Sequence, residues 1–290
     1  MHANSRAVLM IVVSMTMISS NDAILKVNSA ELGIGQILFI RGVFATVVFL
    51  SLIRITGNRL LSWSMLDRLN MARGGAECLA TFFFVTGLSM LPIATASTLV
   101  WTSPILLTVC SALVLKEKVT LVRWFAVWAG FAGVLCVTTP FGSAFSWPMF
   151  LPLAAAAFVV LRDLLTRQLD AGIDSKYVVL STLILVTVAG GVASLFDWHP
   201  VEFGHLAWLF ASSVLLSTGF FLQIKAIRLG ELSFIAPFLF TGILVSVGWG
   251  YWLWDEIPTT SMVTGIALII GSGLYILSHQ SRAAGKATRL

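Results

Sequence analysis

An all-α polytopic membrane protein, with ten transmembrane helices in two inverted five-helix repeats, is the fold this sequence predicts. Three observations predict it. Ten apolar runs are each long enough to cross a bilayer, the basic residues gather on one side of those runs, and a segment starting at Gly87 is repeated from Ala226.

A spanning helix needs about 20 mostly apolar residues. Of the 290 residues here, 58% are hydrophobic and 11% are charged, and the mean hydropathy is +0.95. Soluble domains carry about 25% charged residues. There is too little polar surface to cover a water-soluble globule, so apolar side chains face lipid as well as a core. The runs are 7–25, 34–53, 70–90, 94–115, 121–138, 148–166, 177–196, 206–228, 233–254 and 261–279. Connections such as 91–93 and 255–260 are short enough to force antiparallel neighbours. No stretch outside the runs holds a soluble domain. The first run follows Arg6 as a signal peptide would, but it is long enough to span and no small-residue cleavage site closes it, so it reads as a retained helix.

Lys and Arg set the orientation, because they are retained on the cytoplasmic side. With the N-terminus in the cytoplasm, 16 of the 18 fall on the inner side, Lys26 stands on the outer side, and Arg41 lies within the second run. One missed or invented helix would invert every later loop. Both termini are therefore expected in the cytoplasm, with the chain multi-pass in a bacterial inner membrane and the lipid bilayer as its surroundings. The net charge of +5 does not mark a nucleic-acid partner, since the basic residues sit in separate short loops rather than in one patch.

Residues 87–120 align without a gap on residues 226–259, pairing Thr102 with Thr241, Glu117 with Glu256 and Thr120 with Thr259. Three identities are few. The shared layout carries more: a turn, a long apolar helix, an acidic turn, and another apolar helix. Dividing the chain at 1–143 and 144–290 puts five helices in each half. An odd number makes the second half start on the opposite side of the membrane, so the repeats are inverted. The charges agree: the first copy ends Lys116-Glu117-Lys118 on the inner side, and the second ends Asp255-Glu256-Ile257 on the outer side. Inverted repeats are a recurrent design of secondary transporters, with substrate near the midplane at the repeat interface. A small-molecule substrate is thereby expected, and no obligate protein partner is evident.

Candidate substrate-binding residues follow from the matched segments. Pro104, in Trp101-Thr102-Ser103-Pro104, cannot donate to the carbonyl of Val100, so the helix should kink or loosen there. The partner segment is Phe240-Thr241-Gly242-Ile243, with Pro237 one turn before and no proline at 243. Each half thus offers an aromatic residue, a threonine and a small or kinking residue at corresponding depth. Stacking on Trp101 and Phe240, with Thr102 and Thr241 bonding polar groups, would suit an aromatic substrate in a cavity walled by the third, fourth, eighth and ninth helices. Phe83 in the third run is a further candidate. Helix packing is the competing reading, because small and hydroxylic residues are common at membrane helix contacts.

Three charges sit inside spans. Arg41 can pair with Asp22, near the outer end of the first helix, or can bind a substrate carboxylate. Glu77 follows Arg73 by four residues, the spacing of a local ion pair, with proton coupling as the alternative role. Arg162, Asp163, Lys225 and Arg228 lie at inner helix ends and can snorkel to headgroups. Cys78, Cys110 and Cys136 are isolated within apolar runs, and none of the four histidines has a metal-ligand neighbour, so neither metal nor cofactor is expected. An integral-membrane enzyme is the rival class, but HExxH, GxSxG and P-loop motifs are all missing.

Arg41 in the second helix, the run from Leu88 to Glu117 with Pro104, and its second copy from Leu229 to Glu256 together resemble the EamA-type branch of the drug/metabolite transporter superfamily. The resemblance covers nearly the whole chain as two five-helix halves. It implies a ten-helix carrier with both termini inside. Many members export amino acids and related metabolites, and the aromatic-rich sequence is most similar to YddG-type exporters of aromatic amino acids. The resemblance favours the substrate-site reading of the Trp101 and Phe240 segments over simple packing.

Overall fold

A computed structural model describes residues 2–55, 62–113, 121–138, 146–166, 168–170, 173, 175–229 and 238–287. Among the described residues the regular structure is entirely helical. The long elements are α1 (His2–Asn28), α2 (Ile34–Ile55), α3 (Arg68–Met90), α4 (Ile93–Val100), α5 (Ser103–Leu113), α6 (Leu121–Thr138), α7 (Phe150–Thr166), α8 (Ser175–Ser194), α9 (Phe203–Leu229), α10 (Thr241–Trp254) and α11 (Thr260–Ala287). Short 3-10 turns at Trp63–Leu66 and Trp147–Met149 lead into α3 and α7. Among the described residues, five helices are long and apolar enough to cross a membrane on length and composition. The expected fourth span is two helices, α4 and α5, and α10 forms the latter part of the ninth. The expected Glu117 and Pro237 fall outside the described residues.

The helices pair according to a pattern that survives exchange of the two halves. α1 packs on α9 as α7 packs on α3; α2 packs on α9 as α8 packs on α3; α1 meets α10 as α7 meets α4 and α5. Three further contacts, α2 on α8, α6 on α11 and α4 on α10, join equivalent members of the two halves. One close crossing is α6 on α11. A Cβ built on Gly265 would stand 2.6 Å from the carbonyl oxygen of Gly133 and 2.9 Å from the backbone nitrogen of Val137, atoms that cannot yield as a side chain can. Gly265→Val should therefore destabilise the protein by about 1–3 kcal/mol through overpacking, seen as a lower unfolding temperature in detergent. An unchanged melting curve would mean the helices separate freely.

The outer surface of the bundle is apolar and aromatic. Phe125, Trp128 and Phe131 on α6, Val188 and Val192 on α8, and Tyr251 and Trp252 on α10 are all exposed. In water this would be an unsheltered apolar surface; in a bilayer it faces lipid. Trp63, Trp147 and Trp198 are exposed beyond the helix ends, where amphipathic rings suit the headgroup layer.

Candidate functional site

The break between α4 and α5 falls at Trp101 and Thr102. The Trp101 amide donates to the Ser97 carbonyl at 3.2 Å, and Thr102 N–H reaches back only three residues, to Leu99 at 3.2 Å, tightening the last turn. Pro104 is the second residue of α5, where a missing N–H costs little because first-turn amides have no intrahelical acceptor. The ninth span shows the same design: Phe240 caps α10, which begins at Thr241. Both threonines are occupied by their own helix turn. Thr102 Oγ1 donates to Leu99 O at 2.7 Å, and Thr241 Oγ1 donates to Phe238 O. Their hydroxyls donate to carbonyls at the breaks, and neither residue is in the lining of the main cavity.

The breaks bring their aromatic rings together. Trp101 and Phe240 have ring centroids 5.8 Å apart, tilted by 51°. Gly242 lies below the indole: a Cβ there would be 3.9 Å from Trp101 Nε1. Behind them is a buried hydroxyl chain in which Ser246 donates to Ser97 at 3.0 Å and shares a 2.6 Å hydrogen bond with Ser19. This chain joins α1, α4 and α10, and the sequence reading had not singled it out.

A cavity of about 430 Å³ runs beside Trp101. Residues of α1, α3, the α4–α5 break, α7 and α9 line it, and α2 contributes Arg41. The expected third, fourth and eighth helices are present. The ninth is not: Gly242 and Ser246 reach only a satellite pocket of about 30 Å³, while Phe240 is buried behind Trp101. Trp101, Phe84 and Phe220 supply the aromatic wall, and Ser103 lies at its edge. Phe83 points elsewhere, stacking on Phe158 at 5.5 Å. Its neighbour Phe84 holds the position assigned to it, since a shift of one helical residue is a turn of about 100°.

Charge lies at two levels of this cavity. At one, Arg41 and Asp22 are bridged by Asn21 instead of touching, which corrects the expected direct pair. Arg41 Nη1 reaches Asn21 Oδ1 at 3.5 Å, Ser212 Oγ donates to that oxygen at 2.6 Å, and Asn21 Nδ2 donates to Asp22 Oδ1 at 3.0 Å. At the other level, Arg162 Nη1 meets Glu77 Oε2 at 2.7 Å and Arg162 Nη2 meets Asp163 Oδ1 at 2.9 Å. Glu77 thus pairs across to α7, not with Arg73, whose guanidinium bonds Thr166 and Thr182. Arg162 and Asp163 are wall residues of the cavity and are not free at a headgroup surface. A double-mutant cycle on Glu77→Gln and Arg162→Gln should give a coupling of about 1 kcal/mol or more. Additive effects would show the contact to be energetically idle.

The two ends of the cavity differ. The α1 N-terminus defines the near face of the bundle, and the α1 C-terminus the far face. Asp163, three residues from the near end of α7, has a side chain 38% exposed. Beyond Leu25 and Val85, at the far end, polar contacts tie helix ends together. Lys26 Nζ meets Glu256 Oε1 at 2.6 Å, donates to Leu91 O at 2.8 Å, and sits 4.6 Å from the Trp254 ring centre. The second carboxylate oxygen of Glu256 accepts the Ile93 amide at 3.0 Å, so one side chain joins α1, α4 and the end of α10. Asp255, at φ 51°, makes the left-handed turn that presents Glu256.

A bundle of apolar helices around a cavity with paired charges, tied by an ion pair beyond one end, is the architecture of a polytopic membrane protein. Residues 5–139 match the model of the EamA-like transporter family. The curated relatives that follow bear transporter names. An S-adenosylmethionine uptake transporter of Rickettsia bellii is 25% identical, covering 92% of each chain. A riboflavin transporter of Vibrio cholerae is 26% identical over 82% of this chain and 80% of its own. The pseudopaline exporter CntI of Pseudomonas aeruginosa is 26% identical over 91% and 93%. A solved crystal structure shares the fold, with a TM-score of 0.65, 14% identity, and coverage of 97% of this chain and 99% of that one.

Proposed function

We propose that this chain is a secondary carrier exporting small metabolites, chiefly amino acids with aromatic or large apolar side chains, by alternating access between halves 1–143 and 144–290. It works in a bacterial inner membrane with both termini cytoplasmic, so the near face is the inner one. The observation that carries this reading is the cavity beside Trp101: one wall is aromatic, the floor holds paired charges, and the far end is tied shut. Trp101, Ser103, Phe84 and Arg41 meet substrate directly. Phe240 and Gly242 support the indole, and Thr102, Thr241 and Pro104 hold the helix breaks. The exchange-symmetric packing supports the two-half mechanism, because a bundle built from like contacts has two related arrangements open to it. In the observed arrangement the cavity takes up cytoplasmic substrate. Breaking the Lys26–Glu256 tie would release it outside.

A second reading rests on the relatives' names. S-adenosylmethionine and riboflavin both carry flat ring systems that an aromatic wall would stack, and both names denote transport of larger solutes. Overproduction in a strain sensitive to toxic aromatic amino-acid analogues separates the two. Raised tolerance is expected for the exporter. Unchanged tolerance, with rescue of a riboflavin auxotroph or new uptake of S-adenosylmethionine, would favour the second reading. Reporter fusions after residues 30, 60, 145 and 200 should read out, in, out and out. A cytoplasmic signal at 145 would overturn the two-half topology.

A further inference from the structure

Asp22 and Arg41 line the same cavity wall, one on α1 and the other on α2. Intramembrane charges are costly, so they ordinarily close into direct pairs. Here no ion-pair contact joins the two among the described residues, and Asn21 stands between them. Asn21 is itself fixed: it is 1% exposed, and Ser212, which is fully buried, donates to its carbonyl oxygen. Next to it in sequence, Ser213 Oγ donates to the backbone carbonyl of Arg41 at 2.9 Å, anchoring the base of that side chain to α9. The spacing of the two charges is therefore held by α9 and is not a slack pair awaiting collapse.

Both groups have bonding capacity left over. A guanidinium offers five N–H donors and a carboxylate about four acceptor sites. Among the described residues, the side chain of Arg41 makes one hydrogen bond, at the long limit of 3.5 Å, and Asp22 accepts one bond, at 3.0 Å from Asn21. Trp101 and Phe84 line the same cavity, giving an apolar surface beside this polar end.

We propose that Asp22 and Arg41 are the two poles of a head-group clamp, Asp22 taking the ammonium and Arg41 the carboxylate of a zwitterionic α-amino acid whose side chain lies against Trp101 and Phe84. This rests on the reading of the cavity as a carrier site. The chemistry favours a zwitterion over a simple cation or anion. A zwitterion places a positive and a negative group a few ångströms apart, adds no net charge to the membrane interior, and replaces one bridged interaction by two direct ones. The carboxylate can be held by two parallel N–H bonds from the guanidinium. A lone cation would leave Arg41 facing it, and a lone anion would leave Asp22 facing it.

The test is counterflow of labelled phenylalanine into proteoliposomes loaded with unlabelled phenylalanine. The competitors are phenylalanine itself, phenethylamine, which lacks the carboxylate, and 3-phenylpropionate, which lacks the ammonium. Wild-type protein should be inhibited about tenfold or more weakly by either one-charge analogue, the scale of losing one charge-assisted hydrogen bond. Asp22→Asn should lose the discrimination against 3-phenylpropionate while keeping that against phenethylamine, and Arg41→Gln should do the reverse. Should either variant fail to fold, the wild-type comparison decides alone, with Asp22→Glu as the charge-conserving companion. Equal inhibition by all three competitors in wild type overturns the clamp while leaving the carrier reading standing. So does full discrimination retained in folded Asp22→Asn. Absence of counterflow for every amino acid overturns the carrier reading, and the clamp with it.

Discussion

Glu256→Gln should open the far face of the cavity. In the wild type this carboxylate holds the Lys26 ammonium at 2.6 Å and the Ile93 amide at 3.0 Å, and the two side chains are only 11% and 19% exposed. Removing one member of a shielded ion pair leaves the other uncompensated, at a cost of several kcal/mol when burial is complete. With this partial exposure, roughly 2–3 kcal/mol of preference for the closed far face is expected to vanish, a shift of about 30- to 150-fold in the population ratio. The measurement is labelling of a cysteine at position 85 by an impermeant maleimide added from the far side, in a background with Cys78, Cys110 and Cys136 replaced. Lys26→Ala should raise the rate similarly, and combining it with Glu256→Gln should add little. Gly250 belongs to the same device. A Cβ there would lie 2.7 Å from Glu256 Oε2, so Gly250→Ala should displace the carboxylate and mimic part of the effect. Labelling unchanged in all of these variants would show that the tie does not set the closed state.

Trp101→Ala should reduce transport of aromatic substrates by about tenfold or more, and that of small ones such as alanine far less. The indole lines the main cavity and its satellite, and it rests on Phe240 at 5.8 Å. Loss of an aromatic pair costs about 0.5–1.5 kcal/mol beyond the apolar area given up, which together reaches the tenfold range. Trp101→Phe should retain much of the preference. Because the Trp101 backbone, not its ring, makes the hydrogen bond that closes α4, folded yield should survive truncation. Equal transport of phenylalanine by wild type and Trp101→Ala at equal expression would remove the residue from the site.

The features of this site that depend on chain order were readable before any coordinates. Apolar run length gave the helices. Pro104 marks where the fourth span breaks, since a proline interrupts the hydrogen-bond ladder in any helix regardless of its neighbours, and the alignment carries that position to the Phe240 segment. What depends on helix rotation was not readable. Glu77 has Arg73 four residues away, yet its partner is Arg162 on α7. Spacing tells which residues share a face, not which face meets which helix. The same ignorance separates Phe83 from Phe84. The Lys26–Glu256 tie had left traces: Lys26 was the one basic residue assigned to the outer side, and Glu256 was the glutamate retained in both repeats. Pairing them requires knowing that the ends of α1 and α10 converge. The serine chain of Ser19, Ser97 and Ser246 carried no signal, because isolated serines in apolar spans look like ordinary packing residues.

Transport by the purified chain, reconstituted alone into liposomes, tests the carrier assignment most directly. A panel of amino acids, riboflavin and S-adenosylmethionine would be followed as counterflow of label against an internal pool. Saturable counterflow of phenylalanine or another amino acid with a large apolar side chain, abolished by swapping the protein for empty liposomes, is the expected result. Label uptake no faster than in empty liposomes for every member of the panel, from protein shown to be folded, would contradict it.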